Sequence, residues 1–223
     1  MTTFDASWSG KLRLVGDLER PDHWHLAAQD QCYFFGDYTA RAGYAHSATN
    51  GLISNLKKKP STRNTPQWKY KSGAIRDVGQ AIARNLTPEA LSTVTFVPIP
   101  PSKPQTSPDY DDRMVQVAKA IGPNIDLREA IFTRAEREAM HVNDGRRDPH
   151  ALRESLGLKS ELTKSRPAQV ILLDDVLTTG CSFTVCKSLL AEVWPGVDIF
   201  GVFVARRVID RTIDFEDLSG IEI

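Results

Sequence analysis

The sequence is short of several things at once. Its 223 residues include three cysteines, Cys32, Cys181 and Cys186, too few for a disulfide framework and wrongly spaced for a CxxC zinc site. An excess of charge is missing too. Twenty-eight basic residues meet 28 acidic ones, so the overall charge does not indicate nucleic acid as a partner, although a local patch is compatible with neutrality. No apolar run approaches the roughly 20 residues that cross a bilayer, which excludes a membrane partner of that kind. The stretch from Trp8 to Leu18 is interrupted by Lys11, Arg13 and Asp17 and lacks a signal-peptide core. The expectation is a cytoplasmic protein. Its hydrophobic content of 41% and charged content of 25% are ordinary for a soluble domain, and its length predicts one domain with elaborations.

What is there is concentrated between residues 170 and 182. Val170-Ile171-Leu172-Leu173 suits a strand buried on both faces. Asp174 and Asp175 then stand where that strand is expected to end. Thr178-Thr179-Gly180 follows as a polar turn, and Val185, Leu189, Leu190 and Val193 recur at helical spacing. A helix start offers outward N–H groups and partial positive charge, so this turn can cradle a phosphate. Gly180 permits close approach of the backbone, and the hydroxyls of Thr178, Thr179 and Ser182 can donate to phosphate oxygens. Two carboxylates would repel that phosphate. They are matched instead to a diol such as the two hydroxyls of a ribose, which donates where they accept. The bland reading, a core strand ending in a polar helix cap, explains one Asp and one Thr but not the whole run.

These thirteen residues resemble the phosphoribosyl-pyrophosphate (PRPP) signature of the type I phosphoribosyltransferases. The resemblance implies that Asp174 and Asp175 contact the ribose hydroxyls as the catalytic pair. It also implies that the loop through Val176, Leu177, Thr178, Thr179, Gly180, Cys181 and Ser182 binds the 5′-phosphate. Mg²⁺ is implied as the cofactor, reached through substrate oxygens with no direct protein ligand. A nucleobase-like acceptor and, in many members, a homodimer are implied as well.

Earlier in the chain, Lys11–Val15 alternates like a strand, and Gln31–Tyr38 with Tyr33, Phe34 and Phe35 reads as a buried one. His23, His25 and Cys32 raise a metal site, but no further ligand has a credible spacing, and a surface strand with a half-buried Trp24 reads better. Ala48, Leu52, Ile53 and Leu56 predict a helix, capped by Lys57-Lys58-Lys59 and stopped by Pro60. Residues 61–72 read as an exposed loop. Ile75, Val78, Ile82 and Leu86 predict the next helix.

Thr93–Val97 predicts a strand running into Pro98-Ile99-Pro100-Pro101-Ser102-Lys103-Pro104, with a helix at Met114, Val117, Ala118 and Ile121 beyond it. A stiff strand–helix loop accounts for the prolines better than a linker does. In the resembled family this position holds the diphosphate loop, so Pro101, Ser102 and Lys103 are implied as diphosphate-binding. Val97-Pro98-Ile99-Pro100 is similar to the start of that loop in the ComF-like, competence-associated branch. That branch continues with Arg-Gly-Phe-Asn-Gln where this chain has Tyr110-Asp111-Asp112-Arg113-Met114, and it has N-terminal zinc-ligating cysteines that are lacking here.

Glu129–Thr133 predicts another strand. From Arg134 to Pro149 apolar residues almost vanish, as in a functional lid or a solvated surface segment. The resemblance implies a lid over the active site, with Arg134, His141, Arg146 and Arg147 contacting diphosphate. Val197–Val204 predicts the last strand, and at its end and just beyond it Phe203, Arg206 and Arg207 are implied by the resemblance as base-binding. A core Phe and two solvated arginines explain those three residues equally well.

Strands near 93, 129, 170 and 199 alternating with helices near 75, 113 and 182 predict an α/β fold: an open, mainly parallel sheet with helices on both faces. Residues 1–60 are expected to form a hood, and 61–223 a phosphoribosyltransferase-like core. The expected activity is transfer of a 5-phosphoribosyl group from PRPP to a nucleobase-like acceptor with release of diphosphate. The rival expectation is a non-catalytic PRPP sensor or regulator. By analogy with the ComF-like branch alone, a role in DNA uptake or defence is a third.

Overall fold

A computed structural model provides the structure, which describes residues 8–134 and 148–209. In chain order the elements begin with β1 (Trp8–Leu14), β2 (Cys32–Thr39), α1 (Ala48–Leu56), α2 (Trp68–Asn85), α3 (Pro88–Thr93) and β3 (Val94–Pro98). There follow α4 (Arg113–Ile121), β4 (Asp126–Leu127), β5 (Ile131–Thr133), α5 (Pro149–Ser155), β6 (Leu156–Leu158) and α6 (Ser160–Thr163). The last three are β7 (Gln169–Leu177), α7 (Cys181–Val193) and β8 (Asp198–Val208).

Six strands form one sheet in the order β1-β2-β8-β7-β3-β4. Only β1 runs antiparallel to its neighbour; the other pairings are parallel. The protein is therefore α/β, built on a mixed, mostly parallel sheet. β5 and β6 pair antiparallel in a separate ribbon.

Residues of alternating direction on β7 show how the core divides. Val170 and Leu172 pack with Leu152 of α5, with Leu189 and Leu190 of α7, and with Trp194 just after α7. Ile171 and Leu173 pack with Ile53 and Leu56 of α1, Val78 and Ile82 of α2, and Val117 and Ile121 of α4. A strand covered on both faces needs an unbroken apolar run, and this is why the β7 sequence announced itself.

Within the stretch 1–60 expected as an N-terminal elaboration or hood, β2 lies in the main sheet beside β8, with Phe34 paired to Phe203. Two expectations are corrected. Residues 131–133 belong to the small ribbon, while the two-residue β4 takes the sheet edge next to β3. The 61–72 stretch is not all loop: α2 begins at Trp68, and Lys71 within it is buried.

The crossing of α2 and α4 is close because Gly79 has no side chain. A Cβ there would lie 2.6 Å from Ala120 Cβ and 2.9 Å from the Val117 carbonyl oxygen. Gly79→Ala must push the helices apart, and we expect a loss of about 1–3 kcal/mol, read as a lower urea midpoint with an unchanged slope.

Candidate functional site

The chain leaves β3 toward β4 on one side, and on its return β7 lies on the other side of β3. Such a reversal opens a crevice at the carboxyl ends of the two strands, where ligands of open α/β sheets bind. A cleft of about 400 Å³, including the part open to solvent, lies there. Pro98–Pro101, Tyr110–Val115, Glu129, Ile131 and Asp174 line it.

The loop after β3 is pinned on both sides. Ile99 N donates to the Leu173 carbonyl at 2.8 Å, and Thr133 Oγ1 donates to the Pro101 carbonyl at 2.7 Å. Proline lacks an N–H, so beyond Ile99 the backbone donors between 98 and 103 come from Ser102 and Lys103. Of the three residues expected to bind diphosphate, Pro101 lines the cleft, while Ser102 is exposed and Lys103 half-buried just beyond it.

The strand does not end at the acidic pair. β7 runs through Asp174 and Asp175 to Leu177. Val176 and Leu177 are therefore core residues packed on opposite faces of the sheet, and the turn that can meet a phosphate is confined to 178–182. Asp174 is half-buried and faces the cleft. One of its oxygens accepts from the backbone N–H of Asp175 at 2.8 Å. Burial, reinforced by the charge of Asp175, pushes the Asp174 carboxyl up to about 6.

Asp175 is placed differently. It is buried and is not part of the cleft lining. Arg113 donates to Asp175 Oδ2 through Nε at 2.7 Å and also through Nη2, and Lys57 Nζ lies 3.2 Å from Oδ1. Burial alone would raise its carboxyl, but the two cations outweigh burial and hold it below the usual range. Arg113 was not singled out from the sequence. The five-residue run Tyr110–Met114 that departs from the ComF-like pattern contains it, and that departure was the one available signal.

The 178–182 turn carries a cover. His25 N donates to the Thr179 carbonyl at 2.9 Å, His23 Nδ1 donates to the Thr178 carbonyl, and Leu26 packs where a Cβ on Gly180 would sit. Gly180 has φ +86°, a left-handed conformation that glycine takes at no steric cost. Thr179 and Cys181 are buried, Thr178 and Ser182 half-buried, and none of the five lines the cleft. His23 is wholly buried, and desolvation lowers its pKa. It serves as a brace for the turn.

The remaining expected contacts are scattered. Phe203 is 1% exposed and meets Phe183 edge-on with ring centroids 6.4 Å apart, so it is a core residue and not a base platform. Arg206 Nε lies 2.8 Å from Asp37 Oδ1, and its guanidinium stacks on Phe34 at 5.3 Å. Arg207 is exposed. Arg134 is exposed, and its backbone N–H donates to the Ser155 carbonyl at 2.9 Å. His141, Arg146 and Arg147 lie outside the described residues.

The geometry thus brings together Asp174, the pinned proline loop and the N-terminal end of α4, including Arg113, with Asp175 directly behind. No protein-family model matches this chain, and no curated protein matches it.

Proposed function

We propose that the protein is a phosphoribosyltransferase that takes PRPP, with Mg²⁺, into the cleft between β3 and β7. There it transfers the 5-phosphoribosyl group to a nucleobase-like acceptor and releases diphosphate. The observation that carries this reading is the position of Asp174. It lines the cleft at the topological switch point beside the proline loop, and the strand that carries it runs on to a hydroxyl-rich turn that could donate to a 5′-phosphate.

In this reading Asp174 accepts from a ribose hydroxyl and sets negative charge beside the cationic sugar carbon of a loose transition state. Ser102 and Lys103 offer donors to the diphosphate, and the first turn of α7 faces the 5′-phosphate once the His23–Leu26 segment yields. Little covalent help is needed, so positioning dominates. Asp111, Asp112, Glu129 and Asp174 give the cleft an acidic lining, which suits a substrate that arrives with part of its charge neutralised. Mg²⁺ carried on the diphosphate oxygens would supply that neutralisation and stabilise the leaving group.

The test is diphosphate release from PRPP and Mg²⁺ across a panel of bases. Asp174→Ala is expected to lower turnover about 100-fold or more. Wild-type turnover in that variant would remove Asp174 from the chemistry. Absence of release on every base, with PRPP still bound in a calorimeter, would leave the sensor reading. That second reading has its own support in the ion pairs that tie Asp175 inward and in the cover on the 178–180 turn.

A further inference from the structure

The acidic pair is held asymmetrically, and a chain of buried and half-buried charges is responsible. Arg113 spans two carboxylates, with Nε on Asp175 Oδ2 at 2.7 Å and Nη1 on Asp111 Oδ2 at 2.9 Å. Behind Asp111 stands Lys71, whose Nζ is 2.8 Å from both of its carboxylate oxygens. The same ammonium donates to the carbonyls of Leu56 at 2.9 Å and Lys58 at 2.7 Å. All three of its donors are thus directed at oxygen, although the side chain is 0% exposed. Burying such a lysine is expensive, and apolar residues of similar size hold helices together at least as well. Packing alone therefore does not explain a charged chain running from the end of α1 through α2 and the start of α4 to β7.

We propose that Arg113 is a positioning residue, oriented by Lys71 through Asp111, which commits Asp175 to the interior and leaves Asp174 as the one carboxylate of the pair presented to the ligand. The identity of that ligand rests on the sugar-phosphate reading; the relay itself does not. The assigned division of labour differs from a symmetric pair, in which both carboxylates would meet the diol. Lys57, with a side chain 41% exposed, completes the cationic flank of Asp175. The charged and titratable groups facing Asp174 are Asp175 on its own strand, Arg113 from α4, Lys57 from the end of α1, Tyr110, Asp111 and Asp112 before α4, and Glu129 across the cleft. Of the two cations, Arg113, with a side chain 19% exposed against 41% for Lys57, acts the more strongly on Asp174, so its removal is the one expected to raise Asp174 most.

The experiment titrates aspartate side-chain carboxyl carbons by NMR in the unliganded full-length protein from pH 4 to 8, assigning Asp174 with Asp174→Asn. Calorimetry then measures PRPP–Mg²⁺ binding at pH 6.5. In Arg113→Gln the Asp174 midpoint is expected to rise by about one pH unit or more, and PRPP affinity at pH 6.5 to fall about threefold or more as the ionised fraction drops. Arg113→Lys, the variant safer for folding, keeps the charge but cannot fork across two carboxylates, and is expected to fall between wild type and Arg113→Gln in both readouts. A residue that merely held the helices would not move the titration of Asp174. A wild-type midpoint in Arg113→Gln overturns the relay, and if that variant does not fold, a wild-type midpoint in Arg113→Lys overturns it. If the midpoint moves as expected but the wild-type protein binds no PRPP, the relay stands and the sugar-phosphate reading fails. If PRPP binds and the midpoint does not move, the reading stands and the relay fails.

Discussion

Lys71→Met is expected to cost about 3–5 kcal/mol of stability, the range for removing one partner of a buried ion pair. The substitution nearly preserves volume, so little of the loss comes from a cavity. It comes from groups left behind. The Leu56 and Lys58 carbonyls lose their donor, and half-buried Asp111 keeps, among the described residues, Arg113 as its cationic partner. Burial lowers the pKa of Lys71, while Asp111 acts to keep it protonated. Adding Asp111→Asn to Lys71→Met is therefore expected to recover part of the loss, because the stranded carboxylate goes with it. Chemical denaturation of the two single variants and the double variant measures the coupling directly. Additive losses would mean that Lys71 and Asp111 act independently, and a Lys71→Met variant within about 0.5 kcal/mol of wild type would mean the site is wetter than its burial implies.

That network also marks the boundary of what the sequence could say. β7, α1, α4 and β8 were legible because each carries its period locally: a double-sided apolar run for β7, and apolar residues three and four apart for α1 and α4. The acidic pair and its turn were legible for the same reason, being contiguous. Arg113 meets Asp175 across 62 residues, and Lys71 meets Asp111 across 40. No local pattern records such a meeting. Lys71 was hidden further by its neighbours, since Trp68-Lys69-Tyr70-Lys71 looks like a polar surface and α2 lacks a side-chain cap at its start. The placement of β2 failed to show for a related reason. Phe34 and Phe35, both buried on opposite faces, announce a central strand, but its partner β8 lies at the other end of the chain. The sheet edge was misjudged because Glu129–Thr133 is the more apolar segment, whereas β4 is two residues long and is fixed by the backbone bond from Arg128 N to the Phe96 carbonyl at 2.9 Å. The cover on the 178–182 turn was also missed: His23 and His25 invited a question about metal, but what they supply are hydrogen bonds to the turn's carbonyls.

Asp174→Asn is expected to make the protein more stable and less active at once. The Asp174 carboxyl is held near 6 by burial and by the adjacent Asp175 charge, against an ordinary value of 3.8. A carboxyl with a raised folded-state pKa binds more protons folded than unfolded between about pH 4 and 6, so stability falls as pH rises through that window. Below about pH 4 the group is protonated in both states and the penalty vanishes; above about pH 6 the penalty is present in full. Asparagine copies the protonated form and still accepts from the Asp175 N–H, so Asp174→Asn is expected to gain about 1–3 kcal/mol at pH 7.5 and to converge with wild type near pH 4. The contribution of Asp175 has the opposite sign and a separate window. Its carboxyl is held below 3.8, so the stability it adds is lost as pH falls below about 4. Thermal unfolding from pH 3.5 to 8 resolves the two. PRPP turnover in Asp174→Asn should fall with the charge that a developing cation requires, although the fold has gained. A variant no more stable than wild type at pH 7.5 would show that Asp174 is ionised without penalty, and a stable variant with wild-type turnover would show that its charge does no chemistry. Stability withheld at one half-buried carboxylate, while its neighbour is neutralised by two cations, is the pattern of a binding site that sacrifices some stability for function.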